Sequence, residues 1–469
     1  MNYIIFPTQL YYDIKLNKEY NYFLLEEPRY FTDFNFHKLK LAYHRATMKK
    51  YFDYLQKKKY KIKYIEFDQV NNFYNKINNC ICIDPTDYKL KKKLVNIKIL
   101  PSIQFLINES EINEQKENFY KLKHDYFYKY MRIKYKILID SNNKPIGGKW
   151  SFDTENRNKL PKDIKINENI KIINNKYIKE AKEYITKNFS NNYGLLDNFI
   201  YPIDRKTSLK HLNEFLKHKL NNFGPYQDAV SKEYDFVYHS ILSPMMNIGL
   251  LRDIDVVKIS NEYYLKHKID IASYEGFIRQ IIGWRNYMYT MYILKGEEMY
   301  ESNNLNHKNK LLNNIWWKTF NIDPIDFLIE KVKKYSYLHH IERLMYLGNW
   351  FLINQIEPKQ VYQIFMEWTI DSFDWVMVGN IFAMSQYSSN IMTKRPYFSS
   401  SNYILKMSNF KKGKWCEIWD ALYYSFINKH KELFSKNYST ALQVKNYNKK
   451  KNKQNILDIS NNYKLIICN

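Results

Sequence analysis

The chain has 469 residues, 45% of them apolar, with 73 basic against 48 acidic side chains and a formal charge of +25. It is too long for one ordinary core and apolar enough to fill two or three, which excludes a chain that is disordered as a whole. The positive excess favours a polyanionic partner, nucleic acid or an anionic membrane, although a composition biased toward Lys, Asn, Ile and Tyr explains it equally well.

The first third alternates β-rich and helical runs: "YIIF" at 3–6, "YFLLE" at 22–26, a helical stretch at 37–59, "KIKYIEF" at 61–67 and "VNIKIL" at 95–100. Strands separated by a helix of that length predict βαβ units and a small doubly wound parallel sheet over residues 1–115. From 116 to 200 the pattern loosens into Asn- and Lys-rich sequence around "GGKWSFDTENRNKLPKD", read as an ordered connection crossing between domains. From 201 to 440 long helical periodicities take over and predict a larger all-α domain. Residues 441–469 are basic and weakly patterned, and are expected to form a disordered tail.

Cys80, Cys82, Cys416 and Cys468 form neither a CxxC pair nor an even spacing, so reduced thiols are expected rather than a disulfide framework or zinc ribbon. No stretch reaches the ~18 apolar residues of a membrane span, and the first residues carry no basic segment ahead of an apolar one. A soluble intracellular protein is expected, its compartment left open. P-loop, GxGxxG, HExxH and GxSxG patterns are absent.

Four segments hold polar groups in apolar surroundings. "YEGFIRQIIGWRNY" (274–287) carries Glu275, Arg279, Gln280, Trp284 and Arg285; Glu275 and Arg279, four apart, either neutralise each other or turn to a ligand. "SYLHHIERLMYLGNW" (336–350) reads as one buried helix with His339 and His340 near the quadrant of Arg343. Adjacent helical histidines diverge by ~100°, so no shared metal is expected, which leaves hydrogen-bonded core histidines or an acid–base pair at a pocket mouth. "DSFDWVMVGNIFAMSQYS" (371–388) sets Asp374 six residues before Asn380, able to line a loop against a ligand ring. "YHSILSPMMNIGLL" (238–251) places Ser240 and Ser243 at a helix start, suited to a phosphate but equally to ordinary capping.

Taken in order, "FPTQL", "FHKLKLAYHRATM", "GGKWSFDTENR", "YHSILSPMMNIGLL", "EGFIRQIIGWR", "YLHHIERLMYLGN" and "SSSNYILKMS" resemble the cryptochrome/photolyase superfamily, in its deoxyribodipyrimidine photolyase-related, iron–sulfur bacterial branch. The resemblance spans all but the last ~30 residues. It implies an N-terminal α/β antenna domain and an all-α domain holding FAD, with light driving an electron from reduced flavin into a UV photoproduct in DNA. A monomeric (6-4) photolyase is the activity implied, with UV-damaged DNA as partner; a cryptochrome-like blue-light photoreceptor without repair is the alternative.

Residue by residue, Ser240, Ser243 and Asn247 match the flavin-phosphate segment; Glu275, Arg279, Gln280, Trp284, Arg285 and Arg343 match further cofactor contacts. Asp374 and Asn380 match the pair flanking the isoalloxazine, and His339 and His340 the histidines that donate a proton during (6-4) repair. Trp375 and Trp316 or Trp317 match electron-relay positions. Glu26, Glu27, Tyr30 and Phe31 stand at the segment that faces a lumazine-type antenna in relatives. One departure matters. The branch uses four cysteines for a [4Fe–4S] cluster, and here the corresponding regions hold only Cys416. No cluster is expected, its place being filled by Trp415, Trp419, Leu422 and Phe426.

Overall fold

The structure, a computed structural model, describes residues 1–168, 170–313 and 315–468; the side chains of 121–123 and 317 lie outside the described residues. Five strands, β1 (Asn2–Ile5), β2 (Asn21–Leu25), β3 (Lys61–Ile65), β4 (Cys80–Ile83) and β5 (Ile97–Leu100), form one parallel sheet in the order β3-β2-β1-β4-β5. Helices Lys38–Lys57, Val70–Lys76 and Tyr88–Lys93 lie in three of the four crossovers that parallel strands require, and residues 6–20 join β1 to β2 without a helix. The sequence reading misses β4. Its run Cys-Ile-Cys-Ile is buried on both faces, so it lacks the alternation that marks a half-exposed strand.

Helix Lys38–Lys57 carries much of this domain's core. Leu39, Leu41, Ala42, Tyr43 and His44 are fully buried on it. His44 is enclosed by Tyr30, Phe31 and Phe373, and neither ring nitrogen has a hydrogen-bond partner. Burial, with Lys40 nearby, pushes its pKa down from 6.5 to about 3. Above pH 6.5 the group is neutral whether folded or unfolded; below it the unfolded chain takes up a proton that the folded one refuses, so stability falls with pH. His44→Phe cannot take the proton. It is expected to gain on the wild type by about 1.4 kcal/mol per pH unit below 6.5. Urea midpoints of the two proteins at neutral and mildly acidic pH check this; parallel lines would refute it.

The same helix reaches into the larger helical part. Lys40 Nζ donates to the carbonyls of Met366 (2.9 Å) and Ser372 (2.7 Å), and burial pushes its pKa down to about 7. Arg29 binds Asp87 at 2.8 Å and approaches Asp374 at 3.5 Å. The segment 366–374 is thus clamped from the sheet side.

Residues 116–200 contain two long helices. Lys116–Lys134 and Lys176–Asn188 are helices, the second burying Ile178, Ala181 and Ile185 and pairing Glu180 with Arg45 at 2.6 Å. The tail is ordered as well, in contrast to the disorder expected: Tyr438–Asn448 and Lys453–Ile467 are helices. The last of these buries Ile456, Ser460, Tyr463 and Ile467, spaced for one helical face. It continues into the body, where Leu312 N donates to Ile467 O at 3.0 Å and Leu311 bridges Cys468. Among the described residues no helix is long and apolar enough to cross a membrane.

Candidate active site

Three π-helical turns interrupt the α-helices of the larger part: Arg279–Arg285, Glu342–Gly348 and Gly379–Ser385. Such turns are rare and concentrate at functional sites. Here they fall on the three segments singled out by their polar residues, and they meet. Trp284 Nε1 donates to Asn380 Oδ1 at 3.3 Å, joining the first to the third. Gln386 Nε2 donates to Gly348 O at 3.0 Å, joining the third to the second. A Cβ at Gly348 would overlap both Ser385 Oγ and the Arg343 carbonyl, so this crossing depends on glycine. Gln280, Trp284, Arg343 and Asn380 are half-buried along these turns, while Arg279 and Arg285 are buried.

The polar residues form two linked networks. Asp371 is the centre of the first: its carboxylate accepts from Ser243 Oγ (2.5 Å) and Arg343 Nη2 (2.7 Å), and its carbonyl from Asn247 Nδ2 (2.7 Å). Arg343 Nε also donates to Leu338 O at 2.6 Å. In the second, Arg285 donates to Asn247 Oδ1 and to Asp253 Oδ1 (2.7 Å), its guanidinium lying 4.7 Å from the Trp375 ring. Burial raises the pKa of Asp253, against the pull of Arg285. The Ser240 carbonyl lies 2.7 Å from His211 Nε2, a residue outside both networks. Asp371 and Asp253 were not singled out from the sequence.

Glu275 is fully buried, accepting from Tyr128 OH (2.8 Å), Phe152 N (3.0 Å) and Arg279 Nε (3.2 Å). Of the two sequence alternatives, mutual neutralisation describes Glu275. Arg279 also reaches Asp153 in the 147–163 segment at 3.2 Å, leaving Nη2 without hydrogen-bonding geometry. The Asp374 carboxylate accepts from Tyr292 OH and Tyr362 OH and faces Arg29.

The histidines sit at a helix start rather than inside a helix. Ser336, with φ of 54°, ends helix Asp323–Tyr335, and the next ladder begins with Arg343 N donating to His339 O at 3.1 Å. Glu342, three residues on, accepts the His339 N–H at 3.0 Å, half of a capping box, and holds Lys331 Nζ at 2.6 and 2.9 Å. His339 is 2% exposed, and its ring nitrogens have no hydrogen-bond partner. Burial first, then His239, Lys331, His340 and Arg343, push its pKa well below the usual imidazole value. His340, by contrast, is 42% exposed, with Nε2 3.3 Å from Asp228 Oδ1.

A third imidazole, His239, stacks on His339 at 4.2 Å and 11° and lies 5.5 Å from His340. One nitrogen from each of the three lies within 4.8 Å of the others. Two parallel stacked rings cannot both aim an in-plane lone pair at one ion, so as placed the three are not arranged as metal ligands. Asp228 and His239 lie about a hundred residues from the pair, and no spacing pattern in the sequence connects them.

Trp316 and Trp375 belong to separate aromatic runs. Trp316 contacts Trp368 at 4.7 Å and Tyr193 at 5.1 Å. Trp375 contacts Phe105 at 4.8 Å, which stacks on Tyr289 at 3.9 Å. Trp368 was missed from the sequence, and the Trp317 side chain lies outside the described residues. At the antenna segment, Glu26 accepts from Arg45, Tyr64 and Tyr184, Glu27 accepts from Tyr74 at 2.6 Å, and Tyr30 and Phe31 are buried. Protein side chains thus already occupy these positions. Trp415, Cys416, Trp419, Leu422 and Phe426 are buried on helix Lys414–Lys429.

Residues 3–201 match the family model described as deoxyribodipyrimidine photo-lyase-related protein. A (6-4) photolyase of Agrobacterium fabrum is 29% identical over 436 residues, 86% of each chain. Among solved structures, a bacterial class III photolyase from Agrobacterium tumefaciens superposes with a TM-score of 0.56 at 14% identity, covering 94% of this chain and 91% of that one. A Synechocystis cryptochrome superposes at 0.54 and 12%, covering 91% and 88%. With the parallel sheet and the larger helical part seen here, these likenesses give the chain the photolyase/cryptochrome fold, with residues 3–201 matching the deoxyribodipyrimidine photo-lyase-related family.

Proposed function

We propose that this protein is a light-driven DNA photolyase of (6-4) type that uses FAD. The observation that carries the reading is the pairing of a buried, unbonded imidazole, His339, with an exposed one held by a carboxylate, His340 with Asp228. It occurs in a chain similar over most of its length to a (6-4) photolyase. The donor set suits a flavin dinucleotide: Arg285 has a buried guanidinium nitrogen without a hydrogen-bond partner, and the first and third π-turns bring half-buried Trp284 and Asn380 together. Ser243, Asn247, Arg343 and Arg285 would hold the cofactor's polar part, and Trp284 and Asn380 its ring. When bound and reduced, FAD supplies the photo-excited electron.

The chain's own residues would do the rest. His340, open to solvent and opposite Asp228, holds a proton where a lesion can reach it and delivers it to the oxygen that must return between pyrimidines. His339, neutral, offers hydrogen bonds that orient the lesion. The +25 charge supplies phosphate affinity that weakens with salt. Trp368, Trp316 and half-buried Tyr193 would form an electron path for flavin reduction. Trp368→Phe or Trp316→Phe is expected to abolish most light-driven reduction of the oxidised cofactor without changing the protein's flavin content; transient absorption checks both variants, and unchanged reduction would exclude the path. No cluster is part of the reading, since Cys80 and Cys82 belong to β4 and at most two cysteines remain for the helical part.

The decisive experiment illuminates the reduced protein with oligonucleotides carrying either a (6-4) product or a cyclobutane dimer. Restoration of pyrimidines from the first is expected. A flavin-loaded protein that restores neither would favour the photoreceptor alternative, which the likeness to a cryptochrome fold keeps in view.

A further inference from the structure

We infer that His239 turns the histidine pair into a three-imidazole cluster that carries a single proton, held on His340, while His239 and His339 remain a neutral stacked couple. The use of that proton rests on the activity proposed above; the charge state itself is a property of the folded chain.

His239 Nε2 lies 3.1 Å from the Gln227 carbonyl, which can only accept, so Nε2 carries the hydrogen and Nδ1 the lone pair. Its ring covers the face of His339 at 4.2 Å, and Phe223 closes its other side edge-on at 5.7 Å. A second positive charge at that separation would be strongly opposed in a buried place. The charged groups facing the couple oppose it further. Around His239 these are Lys331, Lys219 and His340; around His339 they are Lys331, Arg343 and His340.

The carboxylate nearest His339 offers no relief. Glu342 Oε1 is 3.6 Å from Nε2, beyond hydrogen-bond reach, and both its oxygens hold Lys331. Of the three rings only His340 has water on one side and a carboxylate, Asp228, on the other, a carboxylate that also attracts Arg157. A single stretch, 227–239, sets both ends of the arrangement. The Gln227 carbonyl fixes the tautomer of His239, and Asp228, the next residue, meets His340. His239 is therefore a positioning residue: it keeps His339 a neutral hydrogen-bonding group and confines the transferable proton to the exposed ring.

The test is a ring-proton NMR titration of the full-length, flavin-loaded protein between about pH 5 and 8, the window in which an ordinary imidazole titrates. The cluster's signals are identified by their loss in His239→Gln, His339→Gln and His340→Gln. The His239 and His339 signals are expected to stay still across that window. In His239→Ala the uncovered His339 begins to titrate, and the repair profile gains a second ionisation on its acid limb; a merely structural role would lower turnover without that new limb. His239→Phe, which keeps the flat cover, leaves His339 silent. Titration of His339 in the wild type, or its silence in a folded His239→Ala, would overturn the inference; should the alanine variant not fold, the wild-type and His239→Phe titrations decide it. Absence of (6-4) repair by the wild type would instead overturn the proposed activity and leave the titration count standing.

Discussion

His340→Ala is expected to lower (6-4) turnover by about 10²–10⁴-fold, the range a positioned general acid supplies, while the purified protein keeps its full flavin content. The two effects separate because of where the ring sits. His340 is largely exposed, its neighbours are Asp228, His239 and His339, and it takes no part in the Ser243–Asp371–Arg343 or Asn247–Arg285–Asp253 networks. On the proposed activity its loss removes the positioned proton, while both networks keep their partners. Single-turnover repair under saturating light, with the flavin absorbance read on the same sample, is the measurement. Equal turnover would end the proton-donor role; loss of flavin together with turnover would show that the ring holds the site rather than acting in it.

The second large effect is on stability. Deleting residues 453–469 is expected to leave the helical part unfolded or nearly so. The helix Lys453–Ile467 buries Ile456, Tyr463 and Ile467, each worth about 1.5–3 kcal/mol on burial, and its removal exposes the apolar face of helix Lys414–Lys429 beneath it. It also removes the acceptor for Leu312 N and the bridge to Leu311. Together these approach the whole margin of a typical domain, about 5–15 kcal/mol. Thermal unfolding of the truncated chain against the full one tests it, with Tyr463→Ala as a milder version. A truncated protein melting within a few degrees of the intact one would make the helix peripheral.

That helix shows why part of the architecture escapes a sequence reading. Ile456, Ser460, Tyr463 and Ile467 follow helical spacing, yet they are diluted by Lys and Asn, and charge and composition outweigh the stripe. The same dilution hides Ile178, Ala181 and Ile185 in the supposed connection. Strand β4 is hidden for the opposite reason, because four apolar residues in a row carry no period. Strands β1–β3, β5 and the long crossover helix were legible because they are apolar or amphipathic over enough residues to show it. Within the site, sequence order brings out Arg279, Trp284, Arg285, His339 and His340, since each is a polar or bulky group in an apolar run. Asp371, Asp228 and His239 gain their meaning only from partners 100 or more residues away, as in Ser243 with Asp371 and His340 with Asp228. Asp374 has partners of the same distant kind, its carboxylate accepting from Tyr292, 82 residues away, as well as from Tyr362.

The π-turns have a consequence for how this wall can change. A π-turn is in effect an α-helix holding one residue more than its register needs. Excising one residue from 279–285, 342–348 or 379–385 would let the helix return to α geometry and rotate everything on one side of the excision by about 100°. No point substitution can imitate that. Gln280 and Trp284, Arg343, or Asn380 would each leave the shared wall as a set, while the helix itself remained intact. The site is therefore specified by chain length as much as by residue identity: a single-residue deletion in one of these turns should break the Trp284–Asn380 or Gln386–Gly348 contact that joins them.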